Sequence, residues 1–507
     1  MRFSKLFSLL FALILVSIVS ACGSGDAKVY PITIDDVFAR ANQRRQDVQE
    51  HDMDRILAHI EGRTPSVIEL EKLLFTPRAS VISAYEAVED VMILFDFLKH
   101  GYGAYEYFGG DAVFLPLRDR LIEDLADYEE IVTGILSQMI QGALSEVIAD
   151  NHFEFDRTTI GISYNFFVWE TPFVRSGNGV REKETDRYLL EVIGHDLDDI
   201  LRLAANESGE FYYIAVIPRP EDYGLRYSIE AVFEGGTELI QLRNSSILPT
   251  PGRTMTPSLT FENDIPIVTM RGNLPFPVPT AWDLGSGFIP DNTNIFLSYA
   301  DQLQGQPYVI LDIRSNTGGS TLLPELWLYR LLGEVVPHNR DIIRQRPGSV
   351  EIDLPDDFAE FSLFWREYDR LMNQDEMPEV PWLEQTNIAL NYYFELISSG
   401  DGFVPNDTIL ILLIDRFAFS AAELFVSHVL NIENTLIIGQ NTSGGLLTPS
   451  GFPHNLPNSG LSFSFADEFY LYQEGQFGEG IGYAPDIWAV GDALTVALSL
   501  INNMRQE

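Results

Sequence analysis

Two short runs in the second half of the chain, residues 308–313 and 408–413, are apolar at nearly every position. A strand with one wet face alternates apolar and polar residues. A run without that alternation must be covered on both sides, which is the condition of a parallel strand lying between two helical layers. From about residue 294 onward the chain therefore reads as α/β. A helix is expected over 421–430, a further strand over 436–438, and an acidic helical insertion over 356–396 between the two apolar runs.

Elsewhere the period of the pattern differs. Residues 34–150 carry apolar side chains three and four apart, as in Val81, Ala84, Ala87, Val91 and Leu94, and predict a helical N-terminal region. A glycine- and aromatic-rich stretch from Gly101 to Gly110 interrupts it, either as a loop over a cleft or as a turn. From 151 to 250 the period shifts to two, with runs at 160–164, 211–217 and 227–233, a turn at Glu234-Gly235-Gly236 and one helix near 197–204. That is a small β-rich module. Residues 251–290 predict a proline-rich linker, and 291–507 an α/β core with its helical insertion near 350–400. The fold class is α/β in the broad sense, an α+β multidomain chain.

At the N-terminus, Arg2 and Lys5 precede an apolar run over 6–19, too short to span a bilayer comfortably. Val19-Ser20-Ala21-Cys22 then matches a lipobox. Residues 1–21 read as a lipoprotein signal peptide and 22–33 as a tether, so the chain is expected to be exported and lipid-anchored to a bacterial membrane through Cys22. Cys22 is the only cysteine. Its acylation leaves no thiol for a disulfide, a zinc site or a nucleophile. The formal net charge is −41, and loss of Arg2 and Lys5 with the leader takes it to −43. A surface so acidic repels nucleic acid, which is therefore not an expected partner.

Three segments of the α/β region carry candidate chemistry. In the first, the strand ending at Ile313 runs through Arg314-Ser315-Asn316-Thr317 into Gly318-Gly319, a turn able to aim backbone N–H groups at one point. In the second, a strand runs through Asp415-Arg416-Phe417-Ala418-Phe419 to Ser420-Ala421-Ala422-Glu423 and into a helix. At the start of that helix the Ser420 hydroxyl lies beside free N–H groups that stabilise negative charge. The same pattern also fits a plain N-cap, with Glu423 completing a capping box. The third segment is Gly478-Glu479-Gly480-Ile481-Gly482-Tyr483-Ala484-Pro485-Asp486. No pair of histidines has metal-ligand spacing, Asp353, Asp356 and Asp357 lack a calcium-loop pattern, and no nucleotide loop is present, so no metal or cofactor is expected.

In that order, and with Thr442-Ser443-Gly444-Gly445 between the last two, these segments resemble the tail-specific, C-terminal-processing serine peptidase family, which includes the tricorn core. The resemblance covers about 294–487. It implies a ClpP- or crotonase-like α/β core, a PDZ-like place for the β-rich module, and a polypeptide substrate. It also implies Ser420 as nucleophile, with Gly318 and Ala421 supplying the oxyanion hole. The processing branch places a lysine after the Ile-Gly step, and here that position reads Thr442-Ser443-Gly444-Gly445. The tricorn-like branch instead uses a histidine after an N-terminal helix, which falls on His152. Its distal carboxylate falls on Glu479, acting through a hydroxyl whose place is taken by Asn151. His152 also reads as a histidine that merely ends a helix, with His100 as the reserve base and His428 as packing. His51, His59, His195, His338 and His454 have no convergent context. Together with the lipobox at Cys22, the resemblance implies a membrane-anchored serine endopeptidase or processing peptidase. The alternative is a retired peptidase fold that binds peptides or serves as a scaffold.

Overall fold

The computed structural model describes residues 32–46, 76–176, 179–220, 226–245, 250–254, 256–272, 291–337, 340–344, 403–466, 468–472 and 477–506. The signal peptide, Cys22, nearly all of the tether and the expected insertion at 356–396 lie outside them. The N-terminal part contains α1 (Ile34–Gln46), β1 (Val81–Ser83), α2 (Ala84–Gly101), α3 (Asp111–Leu125), β2 (Glu130–Val132), α4 (Thr133–Ser145), β3 (Glu154–Phe155) and β4 (Thr158–Thr159). A capping box starts α2: the Ser83 hydroxyl accepts from Glu86 N–H, and the Glu86 carboxylate accepts from Ser83 N–H at 2.8 Å.

The middle module holds β5 (Tyr164–Ser176), β6 (Gly179–Glu182), β7 (Tyr188–Val192), α5 (Leu197–Ile200), β8 (Leu201–Asn206), β9 (Phe211–Pro220), β10 (Arg226–Phe233) and β11 (Gly236–Asn244). The remainder comprises β12 (Ser258–Glu262), β13 (Ile265–Thr269), α6 (Asp291–Leu303), β14 (Tyr308–Asp312), α7 (Leu322–Leu332), β15 (Arg340–Arg344), β16 (Ile409–Ile414), α8 (Ala421–Val429), β17 (Thr435–Gly439), β18 (Phe452–Asn455), β19 (Ser462–Phe465), β20 (Glu468–Tyr472), β21 (Ile487–Val490) and α9 (Ala493–Met504).

The pattern of β16 explains its layers. Leu410, Leu412 and Ile414 pack with Phe296, Trp327 and Phe425 of α6, α7 and α8. Ile411 and Leu413 point the other way, into a cluster with Val37 of α1 and Ile501 of α9. Each such side chain contributes about 1.5–3 kcal/mol on burial. Around it β13, β14, β16, β17, β21 and β8 lie side by side in parallel, with β12 antiparallel on β13.

Two expectations about boundaries are corrected. Part of the expected linker is the β12–β13 hairpin, because 258–269 bury Ile265, Ile267 and Val268 against the core sheet. The β-rich module is not set apart either. Its β8 pairs with β21 (Trp488↔Ala204), so one sheet runs through module and core. Within the module β5, β6, β7, β10 and β11 close on themselves at Arg243↔Val168, giving a small barrel. The helix expected near 197–204 stops at Ile200, and 201–206 is strand β8. The strand expected at 160–164 begins only at Tyr164.

The helices α2–α4 share a core with Phe153, Phe155, Phe463 and Phe465. There β3 pairs with β19 (Phe155↔Phe463), which fastens the N-terminal segment that follows α4 onto the α/β core. That fastening carries His152 to the C-terminal ends of β14 and β16.

Candidate active site

Beyond the end of β16 the chain turns through 415–419 and reaches Ser420 with φ 54° and ψ −127°. A side-chain-bearing residue in such a conformation costs about 1–3 kcal/mol and persists only where its surroundings over-determine it. Here they do. Phe419 N–H donates to Asn316 O at 3.1 Å, and Ser443 N–H to Ala418 O at 2.9 Å. Ser420 N–H donates to the carboxylate of Glu423 at 3.0 Å. Glu423 is fully buried and also accepts from the Thr442 hydroxyl (2.6 Å), Gly444 N–H (2.8 Å) and Gly445 N–H (2.9 Å). Burial pushes its carboxyl up to about 7, while these donors pull it back. The residue that reads as half of a capping box is the post on which the 442–445 loop hangs.

Opposite stands His152, whose Nε2 lies 3.0 Å from Ser420 Oγ. The histidine is 8% exposed, and its ring leans on Phe419 with centroids 4.9 Å apart. Burial lowers its pKa to about 4, so the imidazole is neutral near pH 7 and Nε2 is able to accept a proton. That role puts the ring hydrogen on Nδ1. Nδ1 makes no hydrogen bond of ordinary geometry, although the backbone of Thr448 lies close enough to favour the protonated ring.

The expected relay from Glu479 through the Asn151 side chain to the imidazole is not built. Glu479 accepts from Asn151 N–H at 2.8 Å, Leu446 N–H at 3.2 Å and Leu447 N–H at 3.0 Å. The Asn151 amide is spent on two carbonyls, Ile162 O at 2.9 Å and Gly444 O at 2.6 Å. Both residues therefore fix the backbone around His152 and leave its ring alone. Burial, and then the nearby Asp150, raise Glu479 well above the usual carboxylate range.

The Gly318 turn abuts the serine, and a Cβ there would meet Ser420 Cβ at 2.7 Å and Phe419 O at 2.8 Å, at φ 96°. Only glycine fits. Its N–H, however, is donated to Asn316 Oδ1 at 2.9 Å, so this expected oxyanion donor is engaged in the resting site. Asn316 is fully buried and its Nδ2 donates to Met270 O at 2.9 Å, which locks its orientation. Ala421, the first residue of α8, has no intrahelical acceptor for its N–H.

Asp150 was missed in the sequence, although an aspartate two residues before His152 is the signal for an Asx turn. Its carboxylate accepts from His152 N–H at 3.0 Å, and also from the hydroxyls of Tyr102 and Thr448. His428 lies inside α8 with Nδ1 3.0 Å from Val336 O, as packing requires. No lysine follows Lys183 in the sequence, which leaves the α/β core without a lysine base. Among the described residues no cluster of three or more His, Cys, Asp or Glu is arranged to hold a metal, and no helix is long and apolar enough to cross a membrane.

A serine at a strained strand-to-helix turn, facing a neutral imidazole within hydrogen-bond reach, is the constellation of a serine hydrolase. Residues 287–489 match Peptidase family S41, and the chain carries a serine-type peptidase core of that family. Among solved structures, mature CPAF complexed with lactacystin is 15% identical, covers 83% of this chain and 99% of its own, and has a TM-score of 0.37. The photosystem II D1 C-terminal processing protease is 16% identical over 80% of this chain and 92% of its own, with a TM-score of 0.34. A lipoprotein from Streptococcus agalactiae is 11% identical over 85% and 98%, with a TM-score of 0.37. No curated protein matches the chain.

Proposed function

We propose that the protein is a lipid-anchored peptidase that cleaves exported proteins or peptides through an acyl-enzyme on Ser420. The observation that carries this reading is the 3.0 Å approach of His152 Nε2 to Ser420 Oγ, made by an imidazole that burial keeps neutral. As Oγ attacks the scissile carbonyl carbon, Nε2 takes the hydroxyl proton, and the developing oxyanion is met by Ala421 N–H at the start of α8. Collapse breaks the C–N bond, and the proton on Nε2 passes to the leaving amine. Water then attacks the ester carbonyl, giving its proton to Nε2; the C–O bond to Ser420 breaks, Nε2 returns the proton to Oγ, and the acid product leaves. Anchoring through Cys22 rests on the lipobox, and the exported substrates rest on that anchoring.

One observation favours a second reading, a retired peptidase fold that binds peptides: Gly318 N–H is committed to Asn316. Labelling of the purified protein with a fluorophosphonate probe separates the two. Wild type is expected to label, and Ser420→Ala and His152→Ala to lose labelling while remaining folded by circular dichroism. A folded wild type that does not label, or a Ser420→Ala variant that labels equally, overturns the peptidase reading.

A further inference from the structure

The site holds a buried carboxylate that the mechanism above leaves unused. We propose that Asp150 is a positioning residue for His152: it grips the histidine's backbone and the Thr448 hydroxyl, so that the Thr448 carbonyl, and no carboxylate, receives the Nδ1 hydrogen as the imidazolium forms. The inference rests on His152 acting as the base for Ser420. Asp150 and Thr448 are both fully buried. The Asp150 carboxylate accepts from His152 N–H at 3.0 Å, from the Thr448 hydroxyl at 2.8 Å and from the Tyr102 hydroxyl at 2.8 Å. These donors, and the backbone of Phe153 beside them, are all neutral, so no cation is paired with the carboxylate and its contacts serve geometry.

Independently, His152 Nδ1 is buried without a hydrogen bond of ordinary geometry. A buried donor without an acceptor is costly, and a tightening contact with Thr448 recovers that cost when the ring becomes charged. Only the carbonyl of the Thr448 backbone can favour the protonated ring. The other ionisable groups around this corner are Glu479, Glu423, Tyr102 and Tyr107. Glu479 is occupied by backbone N–H groups and Glu423 by the 442–445 loop and Ser420 N–H. The Gly101–Gly110 turn thereby finds a purpose, since its Tyr102 closes the third side of the Asp150 carboxylate.

The test is the rate of fluorophosphonate labelling of the full chain from about pH 2.5 to about pH 9, wide enough to bracket an acid midpoint near or below 4, for wild type, Asp150→Asn, Thr448→Val and Thr448→Ser. Asp150→Asn and Thr448→Val are expected to slow labelling by about 10–100-fold, the scale of a misplaced catalytic group. Their acid midpoint is expected to move to lower pH, because the imidazolium loses its acceptor, while Thr448→Ser recovers both rate and midpoint. A purely structural role lowers the melting temperature and leaves the midpoint where it is. Where Asp150→Asn does not fold, the near-isosteric Thr448→Val and its serine counterpart decide. Folded variants that label at the wild-type rate with the wild-type midpoint overturn the proposal, as does a serine variant no better than valine. Loss of Ser420-dependent labelling in wild type instead removes the reading of the site itself, and the positioning role with it.

Discussion

His152 and His454 occupy neighbouring corners of the same small sheet. His454 lies in β18 opposite Phe463 of β19, and β19 pairs on its other side with β3, the strand that follows His152. Burial pushes both imidazoles down to about 4, and in both Nδ1 is shut off from solvent without an ordinary partner. Both lean on aromatic rings, His152 on Phe419 and His454 on Phe97 and Phe463. What separates them is the far side of the ring. His152 has a serine hydroxyl at 3.0 Å, and carboxylates grip its own N–H and that of the residue before it. His454 is only partly buried, and its ring meets Phe97 and Phe463 instead. Desolvation neutralises an imidazole anywhere, whereas a base needs a proton within reach and a backbone that holds it there.

The comparison is broken most directly by substitution. His152→Ala is expected to lower fluorophosphonate labelling by about a million-fold, as loss of one member of a nucleophile–base unit does. His454→Phe is expected to label within a few-fold of wild type, since phenylalanine suits a pocket already lined by Phe97 and Phe463. A loss in His454→Phe comparable to that in His152→Ala would mean that the two corners are mechanically one.

The two histidines also mark how far the sequence can be read. The nucleophile turn and the strands β14 and β16 were legible because each is a local pattern: an apolar run, a glycine pair, a serine before a helix. His152 was legible only through a family resemblance, since nothing local distinguishes it from a histidine that ends a helix. The Asn151 relay failed for a long-range reason. Its amide is claimed by Ile162 and by Gly444, the latter 293 residues away in the chain. Glu423 hid behind a capping-box pattern that its three loop donors share with no local signal. The β12–β13 hairpin inside the expected linker did carry a signal. Asn263-Asp264, with φ 49° and 62°, is the two-residue turn that such a hairpin favours, and the surrounding prolines outweighed it.

A gentler probe is the pH dependence of labelling. With His152 lowered to about 4, the neutral ring persists well below the ordinary histidine range. Labelling of wild type is expected to stay near its plateau at pH 5.5 and to fall with a midpoint near 4. A midpoint near 6.5 would show that the ring is solvated in the working enzyme, and the likeness to His454 would collapse.

The smallest effect expected is on stability. For both histidines the folded pKa lies below the unfolded value, so on acidification the unfolded chain takes up protons first. Their contribution is complete above about pH 6.5 and is lost as pH falls through the folded value near 4. Glu423 works in the opposite sense: its folded pKa of about 7 lies above 4.5, so the stability it provides is lost as pH rises through the same window. A bare pH scan mixes the three. Comparing wild type with His454→Phe at pH 7 and pH 4.5 isolates one, because Glu423 and His152 are common to both. The drop in melting temperature on acidification is expected to be smaller in His454→Phe by several degrees, corresponding to roughly 2–3 kcal/mol. An equal drop would mean that His454 takes up its proton freely in the folded state, leaving His152 as the one imidazole of the pair that burial keeps neutral.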